Sequence, residues 1–289
     1  MEELVAALPA PLVVAWVAIL GGVLGSFLNV VISRVPVGES VVHPGSRCPA
    51  CRTPIRWYDN VPVASWLILR ARCRACGARI SVRYPAVELA GVAAALLALW
   101  HRGFGLAGLA ELILSTLLLA LSAIDLDTWL LPNVLTWPLL ALGLGASAAG
   151  LSAAPSLASS ALGAALGFGA FALVAWVGKK LAGREALGFG DVWLLAGLGA
   201  WMGAAALLPL VLLASLQGAV VGIALLLVGK AQTGEPRPAR AQGGGGGEDD
   251  WVPPRNAVPF GPFLALGALE WLYLGDAIIR LLPSLEVFR

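Results

Sequence analysis

The 289-residue chain is 59% hydrophobic and only 12% charged, with a net charge of +2, whereas an ordinary soluble domain is about 25% charged. At about 20 apolar residues per spanning helix, that composition supplies seven or eight spans and excludes a soluble enzyme, a disordered chain and a disulfide-stapled scaffold. The apolar runs are continuous and rich in Leu, Ala and Gly rather than alternating, so helices and not a β-barrel carry the fold.

The chain starts with Glu2 and Glu3 before an apolar run reaching Ile32, without the basic segment that precedes a cleavable signal. This predicts a retained first span over 1–32 with its N-terminus outside. Further apolar segments fall near 85–100, 106–124, 130–150, 157–178, 192–207, 208–228 and 260–282. Eight crossings place the loops 33–84, 179–190 and 229–259 in the cytoplasm. These hold 16 of the 19 Lys and Arg residues, leaving Arg102, Arg280 and Arg289 on the far side, as the positive-inside rule requires. Nine of those basic residues lie between Arg34 and Arg83. Such a cluster can also serve as a phosphate-binding patch, but topology accounts for it more simply, and no nucleic-acid partner is expected.

The expected architecture is an all-α polytopic membrane protein of about eight transmembrane helices. A small cytoplasmic domain at 33–84 lies between spans 1 and 2, and 85–289 forms the remaining membrane domain. About fifty residues are too few to build a good core unaided. The segment 231–256, with five consecutive glycines at 243–247, has no periodicity and reads as a flexible cytoplasmic linker. No repeat at a fixed period organises the chain. The many small residues within the spans suit close helix packing.

All four cysteines fall in two pairs, Cys48-Pro-Ala-Cys51 and Cys73-Arg-Ala-Cys76, separated by 21 residues. Two such turns can present four thiolates to one tetrahedral Zn2+ in a closed structural site, clipping together a domain that lacks a core. Disulfides are disfavoured in a reducing cytoplasmic loop, and no βαβ pattern supports a redox pair. The expected ligands are Cys48, Cys51, Cys73 and Cys76.

Carboxylates at the edge of hydrocarbon need a partner or a function. Asp125 and Asp127 end the third span in LSAIDLDTWLLPN, and Asp191 opens the sixth in GFGDVWLLAG. A solvated helix-end charge, favoured by the helix dipole in the case of Asp191, is the plain alternative. Between Asp125 and Asp191, however, the predicted chain crosses the membrane outward and returns, which brings both to the cytoplasmic side at similar depth. Two carboxylates meeting in a partly dry site share a proton, so that one acts as base on a water and the other as acid toward a carbonyl. Gly188 and Gly190 would allow close backbone approach and positive φ just before Asp191. Glu88, Glu111 and Glu270 also lie within spans, whereas His43 and His101 read as single loop residues without a clear partner, which leaves a nucleophile triad little support. No HExxH helix supports zinc hydrolysis.

With these residues in view, the sequence resembles the bacterial type IV prepilin peptidase family, the leader peptidase/N-methyltransferases of pilus and type II secretion systems. The resemblance runs through GSFLNVVISRVP at 25–36, the double CxxC block at 46–89, AIDLDTWLLPN at 123–133, GFGD at 188–191 and VPFGPFLALG at 258–267. It implies a multi-pass protein of the bacterial inner membrane that cuts the basic leader from prepilins or pseudopilins at the cytoplasmic face. It also implies methylation of the new N-terminus with S-adenosylmethionine, for which no binding residue is identified. By position in the motifs the catalytic pair is Asp125 and Asp191, with Asp127 the rival for the first role. The family usually carries Asp after LLP, where this chain has Asn133. A proton-coupled transporter using a carboxylate relay and a zinc-clipped assembly factor without catalysis are the alternatives from other classes.

Overall fold

A computed structural model describes residues 9–182, 188–227 and 258–288. The acidic N-terminal residues, part of the loop 179–190 and the linker at 231–256 lie outside the described residues. Eight apolar helices follow the expected order: Ala10–Arg34 (α1), then, after the short Ala64–Ile68 (α2), Arg83–Arg102 (α3), Leu106–Thr128 (α4), Asn133–Ala148 (α5), Leu157–Ala182 (α6), Phe189–Met202 (α7), Leu207–Leu227 (α8) and Gly261–Leu281 (α9). Six of them, α1, α3, α4, α6, α8 and α9, are long and apolar enough to cross a membrane, and α5 and α7 are shorter apolar helices. Among the described residues there are no strands, only the isolated bridges Arg47↔Pro54 and Arg72↔Arg79. The chain divides into two compact units, Met1–Ala120 and Leu121–Arg289, with the boundary inside α4.

In the first unit α1 and α3 cross with their backbones in contact. A Cβ at Gly21 would come within 2.6 Å of the Gly91 carbonyl, and one at Gly25 within 2.6 Å of Glu88 Cα, so only glycine permits this approach. Val17, Ala95, Ala98 and Leu112 form the small core around the crossing. Polar groups inside it are paired, as burial in an apolar medium demands. Glu88, nearly buried, accepts the Val63 N–H at 2.7 Å and so pins the loop domain to α3. Arg34 ends α1 and donates to the Ser40 and Gly45 carbonyls at 2.9 and 3.2 Å. His101 is not a solitary loop residue: it lies in the last turn of α3, where its Nδ1 is 3.0 Å from buried Glu111. Arg102 Nε donates to the same carboxylate at 2.6 Å. The sequence reading missed this trio because its members are separated by the α3–α4 turn.

The second unit is organised around α7, whose residues from Val192 to Met202 are buried apart from Trp193. An apolar helix enclosed on all sides needs small residues wherever a neighbour's backbone comes close. A Cβ at Gly199 would run into the Gly163 carbonyl of α6, and one at Gly167 would come within 2.6 Å of the Leu195 carbonyl. On the other face Gly197 takes the Leu139 side chain of α5, while Trp201 Nε1 donates to the Leu139 carbonyl at 2.8 Å. Ser160 Oγ donates to the Ala200 carbonyl at 2.6 Å. These contacts fix an antiparallel register in which Gly163 faces Gly199 and Gly167 faces Leu195. The same register puts Asp191 level with Phe171, eleven residues before the end of α6, or about 16 Å along the helix axis.

Replacing Gly163 by Ala forces α6 and α7 apart and is expected to destabilise the protein by about 1–3 kcal/mol, the usual cost of overpacking. Gly169, whose Cβ direction is open, serves as the comparison. Thermal unfolding in detergent should show a clear loss for Gly163→Ala and none for Gly169→Ala.

Candidate active site and cysteine cluster

The four cysteine sulfurs all lie within 4.8 Å of one another, and Cys48 Sγ is 3.9 Å from Cys76 Sγ. Two local structures of the same design bring them together. In the first, Cys48 N donates to the Thr53 carbonyl, Arg52 N to the Cys48 carbonyl and Ile55 N to the Ser46 carbonyl. In the second, Cys73 N donates to Ala78, Gly77 N to Cys73 and Ile80 N to Ala71. Each turn passes through a left-handed residue, Arg52 with φ 58 and Gly77 with φ 72. The duplication is also written in the sequence, where R-C-x-A-C-x3-I recurs at 47–55 and 72–80, a single short pair that sets no fixed period along the chain. Hydrogen bonding to the Thr53 side chain, and then to its backbone, pulls the Cys51 thiol down to about 6, while the Cys76 thiol stands raised to about 11, the lowering hydrogen bond of the Ala78 backbone being outweighed by its neighbouring sulfurs.

A bidentate ion pair joins the second knuckle to the segment between the pairs. Arg74 Nε donates to Asp59 Oδ2 at 2.8 Å, and Arg74 Nη2 donates to Oδ1 at 2.7 Å. The guanidinium hydrogen bond holds the Asp59 carboxyl below the usual carboxylate range. Ser65 Oγ donates to the Tyr58 carbonyl and Trp66 Nε1 to the Ile80 carbonyl, at 3.1 and 3.2 Å. The loop domain is therefore held largely by polar clips around its cysteines.

In the second unit α4 ends with Asp125 buried, 5% exposed, whereas Asp127 is exposed. Burial thus separates the two rivals. The backbone N–H of Gly261, at the N-terminus of α9, donates to Asp125 Oδ2 at 3.0 Å. Asp191 stands in the first turn of α7, with its N–H 3.1 Å from the Gly188 carbonyl, and its carboxylate is within electrostatic reach of Asp125. Its Oδ1 is buried with no hydrogen-bond partner among the described residues. Close approach before Asp191 is present at Gly190, where a Cβ would come within 2.6 Å of Leu131 Cβ. Positive φ is not: Gly188 caps α7 in an extended conformation with φ −66, and Gly190 is already helical. The helix starts early enough to absorb Gly190 and leaves Gly188 as its cap. Glu270 lies outside this pair and accepts a 2.5 Å hydrogen bond from Gln217 Nε2. Asn133 is exposed at the start of α5.

Buried Asp125 and half-buried Asp191, within electrostatic reach of one another in a unit of apolar helices, define a class: membrane proteins with two carboxylates set among their helices. A family model for the bacterial peptidase A24 N-terminal domain matches residues 19–102, and one for the type IV leader peptidase family matches residues 112–223. A prepilin leader peptidase/N-methyltransferase of Myxococcus xanthus is 41% identical over 95% of this chain and 94% of its own. Proteins of the same description from Stutzerimonas stutzeri and Pseudomonas aeruginosa are 40% and 38% identical, covering 90% and 91% of this chain and 90% of each relative. No solved structure gives a significant match. The chain belongs to the type IV leader peptidase family.

The Arg74–Asp59 pair carries a pH dependence. Because the folded-state carboxyl titrates below its unfolded value of about 3.9, the contribution of the pair is complete above that value and is lost as pH falls through the lower, folded one. At neutral pH Asp59→Asn weakens the clip. In metal-free protein, Cys73 and Cys76 should then be alkylated faster than in the parent, as read by mass spectrometry.

Proposed function

We propose that the chain is an aspartic endopeptidase of the membrane that removes the leader of type IV prepilins or type II secretion pseudopilins at the cytoplasmic face, and then N-methylates the new N-terminal residue. The proposal rests on family membership, and the observation that carries its residue assignment is the burial of Asp125 on the Gly261 amide within reach of Asp191. Asp125 and Asp191 are the catalytic pair in this reading. One carboxylate takes a proton from a water whose oxygen adds to the scissile carbonyl, and the other gives its proton to the carbonyl oxygen. Collapse of the tetrahedral adduct breaks the C–N bond, and the departing amine takes a proton from the pair.

In this reading all eight apolar helices cross the bilayer of the bacterial inner membrane, with the N-terminus outside and 33–84, 179–190 and 229–259 in the cytoplasm. The concentration of basic residues in those loops supports this orientation. Lys179 and Lys180 stand in the last turn of α6, suited to the headgroup level. A prepilin has an apolar helix behind a basic leader, so its cleavage point lies where such a helix meets the cytoplasmic face. Residues 33–84 act as the cytoplasmic metal-binding domain and 85–289 as the peptidase domain. S-adenosylmethionine supplies the methyl group, following the second half of the relatives' name.

Cys48, Cys51, Cys73 and Cys76 hold one structural Zn2+. Four soft sulfur donors suit this ion, and the 3.9 Å separation of Cys48 and Cys76 matches the edge of a Zn–S tetrahedron, about 3.8 Å for bonds of about 2.3 Å. With all four positions filled by protein the ion fixes the loop domain and leaves no open position for chemistry.

In detergent with a prepilin substrate, Asp125→Ala and Asp191→Ala should each lower cleavage more than about 100-fold, while Asp127→Ala keeps most of it. Cleavage surviving the first and third of the positions 125, 127 and 191 would end the dyad assignment. Metal analysis of the purified protein should find about one zinc per chain, lost in Cys73→Ser; protein free of zinc and fully active in chelator would remove the metal assignment.

A further inference from the structure

The motif VPFGPFLALG at 258–267 entered the sequence reading with no role. In the structure, Gly261 of that motif touches the buried aspartate. Its N–H donates to Asp125 Oδ2 at 3.0 Å, and a Cβ built on it would come within 2.6 Å of the same oxygen and 3.4 Å of Leu131 Cδ1. Gly261 opens α9, with Phe260 as the preceding cap and Pro262 following within the first turn. Free N–H groups at a helix start favour an anionic group, and here the occupant is the side chain of another helix. Leu131 lies on the chain between α4 and α5 and also abuts Gly190, the residue before Asp191, where a Cβ would meet it at 2.6 Å. One leucine therefore stands against both glycines, each adjoining one of the two aspartates.

We propose that Gly261 is a positioning residue for the dyad: its amide and its missing side chain set the orientation of the Asp125 carboxylate, with Leu131 as the spacer toward Gly190 and Asp191. This deepens the peptidase reading and rests on Asp125 and Asp191 being the catalytic pair. Gly261 makes no contact with substrate in this role. It acts by holding one carboxylate oxygen, so that the other is presented to water at a fixed angle. The requirement has two parts. The N–H supplies the hydrogen bond, and the absence of a Cβ lets the carboxylate come close enough to accept it. Alanine keeps the first and loses the second.

The test is Gly261→Ala in two measurements on detergent-purified full-length protein. With a prepilin substrate, kcat should fall by about 10- to 100-fold, as expected for a misplaced catalytic group, while KM stays within a factor of two of the parent. Thermal unfolding of the parent, Gly261→Ala, Asp125→Ala and the double variant then forms a cycle that needs no activity. Removing the carboxylate removes the collision, so Gly261→Ala should lower the melting temperature in the parent and have little effect in the Asp125→Ala background. An unchanged kcat, a rise in KM alone, or the same melting shift in both backgrounds would overturn the role given to Gly261. If Asp125→Ala and Asp191→Ala themselves cleave normally while the cycle still shows coupling, the catalytic reading fails and the contact between Gly261 and Asp125 stands.

Discussion

The second unit depends on backbone meeting backbone where α6 and α7 cross. Helices embedded among apolar neighbours gain little from hydrophobic burial against one another and must be held by close packing. Gly163 and Gly199 remove the side chains that would keep the two axes apart, Ser160 of α6 donates to the Ala200 carbonyl of α7, and Trp201 of α7 donates to the Leu139 carbonyl of α5. Once α7 is fixed lengthwise against α6 and α5, the height of its first turn follows, and with it the position of Asp191. Asp125 reaches the same region from the end of α4 and is caught by the start of α9. Elements distant in sequence thus converge on one pair of side chains.

Outside that pair, three glutamates among the helices each have a local partner. Glu88 takes an amide of the loop domain, Glu111 takes His101 and Arg102, and Glu270 takes Gln217. Each arrangement offsets the cost of leaving a carboxyl in apolar surroundings, and each joins segments that would otherwise share only van der Waals contact. Asp191 differs in keeping a buried oxygen without a partner among the described residues. An unmatched polar atom beside a second carboxylate is where a reacting group can be accommodated, and this gives Asp191 a different standing from the three glutamates.

Hydropathy made the eight apolar helices legible, with ends displaced by a few residues, because spanning length and composition are properties of single segments. The cysteine cluster was legible for a similar reason: the CxxC spacing is local and the chemistry of four thiolates is restrictive. Neighbour relations were harder to read. Helices such as α6 and α8 are apolar nearly all round, so their sequences do not say which face meets which partner. For the same reason the glycines in the stretch 143–150 give no more sign of a contact than Gly163 and Gly199, which meet a backbone. His101 lacked a visible partner until the α3–α4 turn brought Glu111 beside it. Gly261 gave no signal of its own, since its contribution is an amide and an empty volume rather than a functional group. Motif position ranked Asp125 ahead of Asp127, but their difference in burial depends on the rotation of α4 and had no local signal.

The register of α6 and α7 has a consequence for approach to Asp191. The first turn of α7 stands about 16 Å short of the end of its longer neighbour, on the side where α6 carries Lys179 and Lys180. A group that reaches Asp191 from that end passes along about three turns of α6 before it meets the carboxylate.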